Sequence, residues 1–105
     1  MKVKDLEGYP FTYLKPQYEN CNSYYKKART FLVNDTVYLV SYETIVLKYD
    51  MANENVEIYP DKSCSHRKFK DGTHSQTTLR HIREFCKQYD IDYNRYSDYI
   101  VYENI

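Results

Sequence analysis

Between Tyr24 and Tyr59 the chain alternates short strand-forming runs with turn-forming segments, and a single helical pattern follows only after them. That order constrains the fold more than any other feature. Parallel strands need crossover connections of about a dozen residues or more, usually helical, and the gaps here are too short for one. The strands must therefore be antiparallel neighbours. From Tyr24 to Val33, Ala28, Thr30 and Leu32 fall on one face, with Arg29, Phe31 and Val33 on the other. Asn34-Asp35, two residues tolerant of positive φ, predict a tight turn, and TVYLVS (Thr36 to Ser41) returns as the partner strand. Ser41-Tyr42-Glu43-Thr44 reads as a corner or bulge, and IVLKY (Ile45 to Tyr49) as a third strand. Met51 to Asn55 is a turn, and VEIY (Val56 to Tyr59) a fourth strand stopped by Pro60. The expected class is α+β: an antiparallel meander of about four strands with one long helix packed on one face.

The remaining segments arrange themselves around this sheet. A chain of 105 residues suits one domain. Residues 1–22, interrupted by Pro10 and Pro16, read as an irregular arm carrying Phe11, Tyr13 and Tyr18; residues 24–59 hold the sheet. Residues 61–74 are a basic loop, 75–89 the helix and 90–105 a tyrosine-rich tail. Within the tail, Tyr99 to Tyr102 would form a short edge strand or a docked strap, and an exposed edge there would suit pairing of two subunits as a homodimer. The 14 tyrosines are interleaved with β-branched runs, which points to sheet faces and contact surfaces.

Fifteen basic residues balance fifteen acidic ones, so any attraction to nucleic acid or anionic lipid has to come from local patches. The first residues are charged with no apolar run behind them, and no stretch approaches the roughly 20 apolar residues of a membrane span. Three cysteines, Cys21, Cys64 and Cys86, without a leader suit reduced thiols. A cytoplasmic protein with no membrane partner is expected.

On a helical wheel of about 100° per residue, Leu79, Ile82, Phe85, Cys86 and Tyr89 share one stripe, with Thr78 inside it and His81 at its border. Arg80, Arg83, Glu84 and Lys87 face away. Ser75 is placed as the N-cap, with Thr73 and Gln76 as a rival capping box. Thr78 is expected to bond back to a carbonyl of the preceding turn, and His81 to clip a backbone carbonyl of the adjacent strand. Ser75, Thr78 and His81 are thus read as a structural motif.

Catalysis by His81 would need a nucleophile or activated water together with an orienting group, and no glycine-rich oxyanion loop or third member accompanies it. Cys64, His66, His74, His81 and Cys86 offer metal-binding atoms, but Cys64-x-His66 is tighter than zinc spacings and Cys86 sits in the apolar stripe. With only Gly8 and Gly72 there is no phosphate cradle. Neither a catalytic residue, nor a metal site, nor a cofactor is expected.

Two surfaces carry the functional signal. Lys62, His66, Arg67, Lys68 and Lys70, then Arg80, Arg83 and Lys87, could form one basic flank, with Lys26, Lys27 and Arg29 behind Tyr24-Tyr25. Cations interleaved with aromatics suit single-stranded nucleic acid or structured RNA, although such runs are commonly just solvated faces. The second surface is acidic and aromatic: Asp90, Asp92, Tyr93, Tyr96, Asp98, Tyr99, Tyr102 and Glu103. Carboxylates beside tyrosines imitate phosphates beside bases, which suits a protein partner, and the same tyrosines would equally serve to pack a strap on the sheet.

Three elements stand in order: Tyr25-x-Lys27-Ala28, then Ser41-Tyr42-x-Thr44-Ile45-Val46, then Ser75-x-Thr77-Thr78-x-Arg80-His81-Ile82-x-Glu84-Phe85. Together they resemble a family of small uncharacterised proteins from phages, plasmids and other mobile elements of Firmicutes, over Tyr24 to about Gln88. The present chain departs from the family in having Thr73-His74 where a glycine-aromatic pair is usual, and Cys86 where leucine is usual. The resemblance implies no catalytic residue. Through genomic association it implies inhibition of host defence, most concretely an anti-CRISPR protein that binds a type II Cas9 effector or its guide-RNA complex. The alternative is a small nucleic-acid-binding or regulatory module using the basic flank.

Overall fold

The turn at Asn34-Asp35 organises the sheet. Asn34 sits at φ 55°, a conformation its short polar side chain tolerates, and it joins β2 (Ala28–Val33) to β3 (Thr36–Ser41) with Val33 opposite Thr36 and Leu32 opposite Val37. The computed structural model describes residues 2–18, 20–21, 23–60 and 75–101. Strand β4 (Thr44–Asp50) follows the Tyr42-Glu43 turn, and β5 (Asn55–Ile58) follows residues 51–54. All neighbours are antiparallel. Leu39 pairs with Leu47 but Val40 pairs with Ile45, so the bulge falls at Val46, beyond the corner.

The meander is as expected, but it has five strands, in the order β1-β2-β3-β4-β5. The additional strand, β1 (Phe11–Tyr13), comes from the arm read as irregular. Its register, Phe11 opposite Phe31 and Tyr13 opposite Arg29, joins residues sixteen to twenty positions apart, a pairing no local pattern of three residues announces. The Thr12 and Thr30 hydroxyls meet across it at 3.0 Å. The helix α1 spans Gln76–Gln88, 13 residues, an ordinary rather than a long helix.

Alternation in β3 explains the layering. Val37 and Leu39 face α1, packing with Leu47, Ile58, Ile82, Phe85 and Cys86. Tyr38 and Val40 face the other way, with Phe31, Ile45 and Tyr59, beneath Leu6 of an N-terminal 3₁₀ turn, Val3–Leu6. Strand β3 is therefore covered on both sides. Burial pushes the Cys86 thiol up to about 12, and this cysteine serves the core as a small apolar side chain.

One outward placement is corrected by long-range contacts. Glu84 is fully buried, because residues 15–18 of the arm cross that side of α1. Its Oε1 accepts the Tyr18 backbone N–H at 2.9 Å, and its Oε2 accepts from Gln88 Nε2 at 2.7 Å. Gln88 in turn donates to the Lys15 carbonyl at 2.8 Å. We expect Glu84→Ala to cost about 2 kcal/mol, since the part-buried Tyr18 N–H and the Gln88 amide lose their acceptor, and to make the bond after Tyr18 markedly more sensitive to chymotrypsin. Unchanged cleavage there would show that the clamp does not hold the arm.

In the tail, Tyr93–Tyr99 form a 3₁₀ helix capped by Asp92. Ile100 makes a single parallel bridge to Ile58, with the Val101 N–H donating to the Ile58 carbonyl at 2.8 Å. Among the described residues the outer edge of β5 is thus occupied by the tail at this point.

Candidate binding groove beside His81

The polar start of α1 meets the polar end of β3. Ser75 caps the helix as expected, its Oγ accepting the Thr78 N–H at 3.2 Å. Thr78 does not bond back to a carbonyl as anticipated. Its Oγ1 lies 3.2 Å from Ser75 Oγ, which donates to it, and 3.1 Å from Ser41 Oγ. Ser41 Oγ in turn is 2.8 Å from His81 Nδ1. His81 was placed at the border of the apolar stripe and expected to clip a carbonyl; it is wholly buried and clips the Ser41 hydroxyl instead.

With Ser75 donating to Thr78, two proton arrangements fit the rest of the chain: Thr78 donates to Ser41 and Ser41 to His81 Nδ1, or Nδ1–H donates to Ser41 and Ser41 to Thr78. The neutral imidazole carries its hydrogen on Nε2 in the first and on Nδ1 in the second. Burial lowers the His81 pKa to about 4, so the ring is neutral at pH 7. Nε2 is buried and has no hydrogen-bond partner among the described residues.

His81 lines a groove of about 590 Å³, within the range of ligand sites. The walls include the rings of Tyr24, Tyr25 and Tyr42, with Lys27 and Arg80 among them and no carboxylate among the described lining residues. Tyr24 meets the His81 ring edge-to-face at 4.7 Å between centroids. Tyr25 and Tyr42 are exposed. Backbone strain concentrates here: Tyr25, Lys26 and Tyr42 lie at φ 52°, 64° and 58°. Left-handed conformations cost about 1–2 kcal/mol in residues of this kind, and such strain tends to gather at functional sites. The Tyr42 N–H, donating to the Lys27 carbonyl at 2.7 Å, helps hold the arrangement. A polar hollow of about 300 Å³, bordered by Asn20, Cys21, Arg80 and Arg83, shares Cys21 and Arg80 with the groove. A separate hollow of about 390 Å³ beside Phe11, Phe31 and Met51 is mainly apolar and has no charged residue among its described lining residues.

The other basic groups divide. Arg80 and Lys87 are exposed. The Arg83 guanidinium lies 5.8 Å from the Tyr93 ring centre, and Lys26 lies 5.7 Å from that of Tyr13. Arg29 pairs with Glu43 at 3.4 Å, away from the groove lining. Lys62, His66, Arg67, Lys68 and Lys70 lie outside the described residues, as do Cys64, Thr73 and His74. Among the described residues no three His, Cys, Asp or Glu side chains gather as a metal site.

The acidic-aromatic residues are brought together in the 3₁₀ helix, with their tyrosines largely committed to packing. Tyr96 is a core residue, Tyr93 and Tyr99 are half-buried, and the Tyr99 hydroxyl donates to the Asp92 carbonyl at 3.1 Å. Asp90, Asp92 and Asp98 remain exposed, Asp98 next to Arg95 at 3.4 Å. Tyr102 and Glu103 lie outside the described residues. No helix among the described residues is long and apolar enough to cross a membrane.

Sequence reasoning missed Ser41, Tyr24 and Tyr42 as members of the site. One signal was present for Ser41. It occupies an inward position two residues past Leu39, so a polar group there needs a polar neighbour across the layer, and Ser75, Thr78 and His81 are the polar residues at the facing helix end.

Neither a curated protein nor a solved structure matches the chain. A family model does match residues 12–100, from β1 through the 3₁₀ helix. The chain belongs to that family, a family of unknown function, DUF8033.

Proposed function

We propose that this protein is a non-enzymatic binding module that takes a single-stranded segment of nucleic acid along the groove and the adjoining polar hollow. The observation that carries the reading is the grouping of aromatic rings with Lys27 and Arg80 in one cleft, continued by Arg83, with no carboxylate among the described lining residues. Phosphates would meet the guanidinium groups and bases would stack on the rings. Anisotropy of a labelled oligonucleotide, titrated at several salt concentrations, tests this. Affinity is expected to fall steeply with salt, and Arg80→Ala to weaken binding several-fold while reducing the salt slope by about 1. Absence of binding at low salt would remove the proposal.

A second reading is inhibition of a type II Cas9 effector in the bacterial cytoplasm. In structural terms it is favoured by the three exposed carboxylates Asp90, Asp92 and Asp98 on the 3₁₀ segment and its approach, where they could imitate a phosphate run; otherwise it rests on genomic association. A pulldown with such an effector, with and without guide RNA and repeated after nuclease treatment, separates the two. A nuclease-resistant complex would favour the effector, whereas recovery of nucleic acid alone would favour the groove.

A further inference from the structure

The sheet ends in two different ways. At β5 the tail bridges to Ile58, whereas no strand among the described residues pairs with the outer side of β1. The Leu32 N–H donates to the Pro10 carbonyl at 3.1 Å and the Leu14 N–H to the Ala28 carbonyl at 2.8 Å, so Pro10, Thr12 and Leu14 turn their main-chain groups toward β2. Antiparallel pairing alternates, and Phe11 and Tyr13 therefore direct N–H and C=O outward. All of β1 is exposed. We propose that this edge is a dimer interface, in which β1 of a second copy pairs antiparallel about a two-fold axis at Thr12 and joins the two five-stranded sheets into one.

Nothing in the segment blunts the edge. Sheet edges are commonly protected from such pairing by charges, prolines or bulges. Gly8 to Leu14 holds no charged residue, and the N–H that Pro10 lacks would have faced β2, so the proline leaves the outer side open. Three observations then select a second copy as the occupant. Register is the first: about Thr12, Phe11 of one copy falls opposite Tyr13 of the other, and each such pair exchanges both of its outward hydrogen bonds. The second is that the side chains match themselves. Phe11 stacks on Phe31 with ring centres 5.1 Å apart and meets Tyr13 edge-on at 5.5 Å, so these rings are already held and dock at little cost in side-chain freedom. Across the axis they meet as aromatic pairs, while on the other face Thr12, 3.0 Å from the Thr30 hydroxyl, meets its own counterpart. Both kinds of cross-strand pair stabilise antiparallel sheets. The third is charge. Glu7 and Lys15 bound the uncharged stretch, and antiparallel pairing sets the Glu7 end of one copy beside the Lys15 end of the other. A strand of another chain could take the open amides; the matched rings, hydroxyls and end charges belong to a second copy.

So short a strand gives an interface at the small end of the usual range, and the dimer is concentration-dependent. Sedimentation velocity on the whole chain, from about 5 μM to about 1 mM, is expected to show a shift from monomer to dimer. Tyr13→Pro removes an outward N–H without touching a bond to β2, a position at which edge strands accept proline. It should weaken association about ten-fold or more, since each lost hydrogen bond counts twice across the axis, with the melting temperature close to that of the parent. Thr12→Cys reads the register. Its two thiols would face one another at a non-hydrogen-bonded pair, where Cα atoms lie about 4.5 Å apart, within the span of a disulfide. Mild oxidation is expected to cross-link this variant into a dimer far faster than the parent, which carries its own three cysteines. A chain that stays monomeric at the highest concentration would overturn the interface and leave the edge to a strand of another protein. A dimer unweakened by Tyr13→Pro, or cross-linking of Thr12→Cys no faster than that of the parent, would overturn it in favour of another face of the chain.

Discussion

Phe85→Ala is expected to remove about 3–5 kcal/mol of stability, the largest effect of any single truncation considered for this chain. Phe85 is fully buried, lies in the cluster where α1 meets Leu39, Leu47 and Ile58, and stacks on Tyr89 with ring centres 4.4 Å apart. Removing it loses the transfer free energy of a large ring and leaves a cavity that a closed sheet and helix cannot readily collapse. For a domain of this size each kcal/mol shifts the melting temperature by about 4–8 °C, so a fall of at least about 12 °C should appear in a thermal scan. Leu32→Ala is the comparison. Leu32 also lies in regular structure but is 46% exposed, and its loss should register at no more than about 1 kcal/mol. If the two variants melted together, α1 would not be seated on the sheet through Phe85.

Lowering the pH from about 7 to 4 is expected to weaken the fold by up to about 3 kcal/mol through His81 alone. Burial lowers its pKa from 6.5 to about 4. The unfolded chain takes a proton at this position below about pH 6.5, whereas the folded chain keeps the ring neutral until about pH 4. Between those values the unfolded state binds more protons, so stability is full above the window, declines as pH falls through it, and levels off at its lower end. Lys27 and Arg80 line the same groove, and among its described lining residues there is no carboxylate to accommodate the new charge. Urea unfolding at pH 7.5, 6, 5 and 4 reads the effect. The His81→Asn variant isolates it, because the asparagine oxygen can take the Ser41 hydroxyl in place of Nδ1. The difference in stability between parent and variant should narrow by up to about 3 kcal/mol across the window. A constant difference would locate the acid sensitivity in other groups.

These two predictions address opposite kinds of residue, and their legibility in the sequence differs accordingly. Phe85 could be read from the helical wheel alone, since it lies in the middle of a stripe formed by neighbours three and four residues away. Ser75 was equally legible, because an N-cap is a local contact between a hydroxyl and the backbone of the next turn. His81 was visible as an anomaly at the edge of the stripe, but its partner was not. Ser41 lies forty residues earlier, and which hydroxyl meets which ring depends on how α1 is set along β3. Glu84 shows the same limit from the other side: its charge directed it outward on the wheel, and only the crossing of the arm explains its burial.

The sequence by itself determined the antiparallel hairpin around Asn34-Asp35, the helix and its cap, and the α+β class, because each follows from periodicity and turn chemistry among near neighbours. Only the tertiary structure decided that the arm supplies β1, that the tail folds as a 3₁₀ helix beside β5, and that Tyr24, Tyr25, Tyr42, Arg80 and His81 share one groove. Those features join residues far apart in the chain. What places them is the closing of the sheet under the helix, whose free energy is spread over the whole core and written in no single segment.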